Sequence, residues 1–120
     1  MTPFGERIRE LRAERRVTLS QMAAELNISA AYLSALEHGN RGRPTPGLVQ
    51  QICGYFGLIW DDVEHLKRLA HLSQPRVTLN TSGLSAHTTA LANELAEAIR
   101  DLPDAKVQEL RAVLGERKHR

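Results

Sequence analysis

Apolar residues recur at three- and four-residue steps along most of the chain, a spacing that predicts helices rather than sheet. Phe4, Ile8 and Leu11 line one face of a helix over 3–16, opened by Pro3, which a first helical turn accepts. Met22, Ala23 and Leu26 mark a second, short helix. Thr18 stands as its N-cap, and Gln21, three residues on, completes a capping box. Asn27 closes it, being more tolerant of a left-handed backbone than other residues with a side chain. Ser29 caps a third helix that runs through Tyr32, Leu33 and Leu36 to Glu37 and stops at Gly39.

The stretch "HGNRGRPTP" carries glycines and prolines that no helix continues through. Behind Thr45, with Pro46 in the first position, Leu48, Val49, Ile52, Cys53 and Phe56 supply the buried side of a fourth helix. No Asp, Glu, Lys or Arg occurs from Pro44 to Trp60, so this helix is expected to be largely enclosed or to meet a partner. Gly57 ends it, and Val63, Leu66, Leu69 and Ala70 carry a fifth over 60–72.

Beyond Pro75 the period changes. Val77, Leu79 and Thr81 alternate with Thr78 and Asn80, which predicts a short strand. A lone strand has open edges, and the same strand of a second chain would close them. Leu84, Thr88, Leu91, Leu95, Ala98, Ile99 and Leu102 then form a helical stripe; after Pro103, Val107, Leu110, Val113 and Leu114 begin another. Val77 to Asn93 contains no Asp, Glu, Lys or Arg, which favours an intermolecular contact over a fold-back on the same chain. The charged tail "GERKHR" is expected to fray. The expected fold is all-α: a five-helix helix-turn-helix domain over 1–74, then a strand and C-terminal helices over 75–120 for dimerisation through Val77, Leu79, Leu84, Leu91, Leu95 and Ile99.

Composition narrows the function classes. With aromatic residues at 4%, the core must be built from Leu, Ile, Val and Ala, which suits helices. No apolar run approaches the ~18 residues of a membrane span, and no signal-peptide core opens the chain, so a cytoplasmic protein without a membrane partner is expected. Cys53 is the only cysteine and sits in an apolar stretch, as a small core residue would. His38, His65, His71, His87 and His119 are scattered, with no pair at helical metal-site spacing; no metal and no cofactor are expected. No nucleophile–base spacing or phosphate-binding glycine loop points to an enzyme. The net charge of +2 permits nucleic-acid binding, and Arg7, Arg9, Arg12, Arg15 and Arg16 crowd the first helix. The interleaved Glu6, Glu10 and Glu14 also allow a plain solvated face there.

"VTLSQMAAELNISAAYLSALEHGNRGRPTP" resembles the Cro-repressor (XRE/Cro-CI-type) family of helix-turn-helix transcriptional regulators. The likeness rests on Ala23, the Asn27-Ile28-Ser29 turn and "YLSALEHG", and covers about residues 4–58. It implies a dimeric regulator of double-stranded DNA, a repressor before an activator, with helix 29–37 in the major groove and the protein on the nucleoid when bound. It implies that Ser29, Ala30, Ala31, Ser34 and Ala35 face the bases, with Tyr32 and His38 nearer the backbone. Thr18, Ser20, Gln21, Asn40, Arg41 and Arg43 complete the DNA-facing set, and Arg12 and Glu37 form a structural ion pair. Leu19 departs from the pattern, standing where the family often has a Gln that braces a phosphate contact. Alanine methyls can touch thymine methyls and let the helix sit deep, so such a site should depend on DNA shape, with Arg43 able to enter a narrow minor groove. The acidic "WDDVE" could touch RNA polymerase, although Asp61 and Asp62 also suit a helix N-terminus. The alternative is an interaction protein, an antitoxin or anti-regulator whose C-terminal half binds a protein partner and orders on binding.

Overall fold

The computed structural model describes residues 1–116; the rest of the charged tail, His119 included, lies outside the described residues. The chain divides into two compact units, one over Met1–Val77 and one from Thr78 onward.

The first unit is five helices: α1 (Pro3–Arg15), α2 (Leu19–Glu25), α3 (Ala30–His38), α4 (Pro46–Phe56) and α5 (Asp61–His71). Local chemistry sets their ends. Thr2, Thr18, Ser29 and Thr45 each accept a backbone N–H of the first turn through the side-chain hydroxyl, satisfying donors that no helix can pair internally. At Thr18 the box is reciprocal, since Gln21 Oε1 accepts the Thr18 N–H at 2.8 Å. Arg16, Gly39 and Gly57 end α1, α3 and α4 in the left-handed region, and Asn27 (φ 60°) turns the chain between α2 and α3. Trp60 precedes α5 at φ 52° with no side-chain cap, while Asp61, Asp62 and Glu64 occupy the first turn, where the helix dipole favours them.

Phe4, Ile8 and Leu11 of α1 pack with Met22, Ala23, Leu33, Leu36, Ile52, Phe56 and Leu66 in one core. Each fully buried aliphatic or aromatic side chain there contributes about 1.5–3 kcal/mol from leaving water. Val17, Leu19, Leu26 and Ile28 are partly buried against it, which gives Leu19 a packing role at the start of α2. Cys53 is buried, and that burial raises its thiol pKa above the ordinary value, against a smaller opposing effect of Lys67. The charge-free α4 is enclosed on one side only, for Gln50, Gln51 and Gly54 are exposed.

Two polar anchors hold α1 in place. Ser73 Oγ accepts the Phe4 N–H at 2.9 Å and donates to the Leu69 carbonyl at 2.6 Å, joining the start of α1 to the end of α5. Thr2 donates through both N–H and hydroxyl to the Glu37 carbonyl, at 3.0 and 3.1 Å. Arg12 Nη2 reaches both carboxylate oxygens of the fully buried Glu37 at 3.1 Å, and Arg9 Nε stands 3.6 Å from one of them.

The second unit holds α6 (Ala86–Ala98) and α7 (Asp104–Glu116). The strand expected over Val77–Thr81 is not formed, and no strand occurs among the described residues. Hydrogen bonding at its end is local instead. Asn80 Oδ1 accepts the Ser82 N–H at 3.0 Å, the Thr81 carbonyl accepts the Leu84 N–H, and Gly83 turns the chain at φ 81°. Leu84 consequently lies in the turn before α6, and Ile99 is the residue that ends it, so the expected stripe from 84 to 102 is helical only over its middle. No residue of α6 or α7 is buried. No helix among the described residues is long and apolar enough to cross a membrane.

Candidate nucleic-acid interface

Two short helices, α2 and α3, pack on each other across the Asn27 turn, and α3 also packs on α1. The α3 periodicity decides which side chains stay outside. Leu33, Leu36 and Glu37 face inward, so the outer stripe at three- and four-residue spacing is Ala31, Ser34 with Ala35, and His38. Ala31 and His38 are exposed, and Ser34 and Ala35 are half-buried. Ala30 and Tyr32, included among the base- and backbone-facing residues on sequence grounds, are half-buried and pack partly on the core, at the flank of that stripe. Ser29 accepts the Tyr32 N–H at 3.0 Å through its hydroxyl oxygen, and the hydroxyl proton is left for another acceptor. His38 Nδ1 lies 2.9 Å from the Ser34 carbonyl, which holds the imidazole along the helix.

The polar residues of the expected DNA-facing set separate into groups. Thr18, Ser20 and Gln21 are exposed at the start of α2, with Gln21 spending its carbonyl oxygen on the cap and retaining its NH₂ donors. Arg9, Arg12, Arg16 and Thr18 line an open recess where α1 ends and α2 begins. Of these arginines, Arg12 and Arg9 are committed to Glu37, so Arg16 is the cation beside the cap whose charge is not drawn inward. The loop after α3 sends its cations apart. The Arg41 guanidinium sits 5.9 Å from the centre of the Tyr32 ring, a cation–π approach that ties the loop to the flank of α3. Arg43 turns toward α5, where its Nη1 is 3.3 Å from His71 Nδ1. Asn40 is exposed between them.

The DNA-facing set expected from the sequence leaves out Arg16, which stands beside Thr18, and Lys67 and His71 were not expected as neighbours of Arg43. For Arg16 a signal existed, a basic pair separated from the capping box by Val17 alone. For Lys67 and His71 none did, since the packing of α4 and α5 alone carries them to Arg43. Among the described residues no group of three His, Cys, Asp or Glu side chains gathers as a metal site needs.

Residues 3–66, from the start of α1 into α5, match the helix-turn-helix domain family, more than half of the chain. The chain belongs to the XRE-type helix-turn-helix family. This helix-turn-helix chain is similar to an uncharacterized HTH-type transcriptional regulator, RghRB, of Bacillus subtilis (strain 168), with 35% identity over 63 residues covering 52% of the chain and 45% of that protein. It is also similar to the HTH-type transcriptional repressor RghR of the same organism, 42% identical over 52 residues that cover 43% of the chain and 38% of the relative. The matched stretches thus span less than half the length of either curated relative. No solved structure matches the helix-turn-helix chain.

Proposed function

We propose that the chain is a sequence-specific, dimeric DNA-binding transcriptional regulator that acts as a repressor by placing α3 in the major groove. The observation that carries this reading is the outer stripe of α3, small at Ala31, Ser34 and Ala35 and ending in His38, in a helix pair whose α2 start carries Arg16, Thr18 and Ser20 and whose following loop carries Arg41 against Tyr32. Small side chains bring the helix axis close to the base edges, so the Ala31 and Ala35 methyls meet thymine methyls while Ser29 and Ser34 supply hydrogen bonds. Arg16, Arg41 and Arg43, with Thr18, Ser20, Gln21, His38 and Asn40, set the register on phosphates. Few base-edge hydrogen bonds follow from such a surface, and groove width and deformability carry much of the discrimination. That one of the relatives is a transcriptional repressor supports the sign of regulation.

The affinity of this mode is electrostatic in large part. Arg43→Ala is expected to weaken binding to all sequences about equally and to reduce the slope of log K against log salt by about 0.9. An unchanged slope in a fluorescence-anisotropy salt series removes Arg43 from the phosphate contacts.

One reading helix covers only a few base pairs, and two held a helical turn apart give useful specificity. The second unit supplies the device. With Leu91 63% and Ile99 53% exposed, Leu95 half-buried and no buried residue in either helix, α6 and α7 leave much of their apolar surface in water in a single chain. A second copy that covers Leu91, Leu95 and Ile99 removes that surface under two-fold symmetry. Leu91→Asp combined with Leu95→Asp is expected to convert dimers to monomers in multi-angle light scattering. If the unchanged protein is already monomeric and co-purifies with another polypeptide, the same face serves a partner protein, as an antitoxin or anti-regulator would use it.

A further inference from the structure

Between the loop after α3, α4 and α5 the first unit has a recess of about 410 Å³, within the size range of small-molecule sites. Its lining is divided by chemistry. Arg43, Lys67 and His71 contribute cationic or proton-bearing nitrogen groups, while Pro46, Val49 and Ala70 supply an apolar floor. Arg43 Nη1 and His71 Nδ1 are 3.3 Å apart, an exposed contact that already brings the two side chains together. Among the described residues the carboxylate paired with this group is Glu64, 3.7 Å from Lys67, in an exposed contact too weak to neutralise it. Gln50 is the one uncharged amide of the lining, so its polar groups are mostly nitrogen donors, which suit an anionic head.

We propose that this recess binds a small organic anion: one carboxylate or phosphate head held by Arg43, Lys67 and His71, with a compact apolar body over Val49 and Ala70. The fork of Arg43 matches either head, and the apolar floor requires the body. Because Arg43 also belongs to the proposed phosphate-contacting set, an occupant holds it in the position it already takes against α5 and lowers the affinity for DNA. That consequence rests on the DNA-binding reading, whereas binding of the anion does not.

The test is a titration of the full chain, without DNA, by ¹H–¹⁵N and methyl NMR with benzoate and phenyl phosphate, and with acetate and inorganic phosphate as heads lacking a body. Saturable shifts at Val49, Ala70 and His71 are expected for the aromatic ligands, with a Kd on the order of 1 mM for so few atoms. Whichever of benzoate and phenyl phosphate binds tighter identifies the head. Acetate and inorganic phosphate should bind about tenfold more weakly. Lys67→Glu should abolish the shifts, and Lys67→Arg should keep them, with the rest of the spectrum unchanged in both. Absence of saturation, or inorganic phosphate matching benzoate, overturns the proposal, the second result assigning the spot to nucleic-acid phosphate alone. If binding is saturable, repeating a DNA titration in excess benzoate should raise the apparent Kd for DNA in the unchanged protein and not in Lys67→Glu.

Discussion

Gly5→Ala is expected to destabilise the first unit by about 3 kcal/mol or more, at the upper end of what overpacking a core costs. The reason lies in how closely α1 crosses α3. A methyl group on Gly5 would stand 2.1 Å from the Glu37 carbonyl oxygen and 2.7 Å from its carbonyl carbon, both backbone atoms that no rotamer change can move aside. The two helices would have to separate. That separation would also lengthen the hydrogen bonds from Thr2 to the same carbonyl and loosen Phe4 and Ile8 in the core. The control is Gly54→Ala in α4, where nothing lies within 4 Å of the added carbon and the backbone is helical. There the substitution should stabilise by about 0.5–1 kcal/mol, because alanine loses less freedom on folding than glycine. Thermal or urea unfolding followed by circular dichroism separates the two. Equal effects would mean that the α1–α3 crossing is looser than the geometry requires.

The second large effect is expected at Glu37. Glu37→Ala should cost about 3–5 kcal/mol, because it leaves the Arg12 guanidinium without its counter-charge in a place that water reaches poorly. Arg12 is 15% exposed and Glu37 not at all. The substitution also leaves Arg12 Nε, already buried without a hydrogen-bond partner among the described residues, in a worse position. Arg9→Ala should cost far less, since Arg9 is 56% exposed and lies farther from the carboxylate, at 3.6 Å. Similar unfolding midpoints for Glu37→Ala and Arg9→Ala would contradict the assignment of Arg12 as the principal partner. Because α3 carries both Glu37 and the outer stripe, this ion pair fixes the rotation of α3 about its own axis and so the direction in which the stripe faces.

The parts of the fold that were legible in the sequence are those written in local spacing. Thr18 with Gln21, Ser29 with the N–H three residues on, and Thr45 before Pro46 are caps whose partners lie within one helical turn, and their positions could be read directly. The close approach at Gly5 and the Ser73 link to Phe4, 69 residues away, were not legible, because tertiary packing creates both. Gly5 did leave a trace, as a glycine inside a helical pattern where no cap is needed. The alternation at 77–81 misled for a related reason. Period-two spacing states which face a strand would bury but supplies no neighbour to pair with, and the chain uses its hydrogen bonds there for an Asn80-centred turn. At the candidate site, the outer face of α3 followed from periodicity once its ends were fixed. Arg43's approach to His71 depended on where α5 comes to rest, which no short-range pattern encodes.

The most direct test of the central claim is selection of host genomic DNA fragments by the purified chain at near-physiological salt, followed by sequencing of what is retained. The account predicts recovery of a few fragments that share a pseudo-palindrome, with half-sites about one helical turn or a multiple of it apart. Retention of fragments without a common sequence, lost evenly as salt rises, or retention of none, would contradict it.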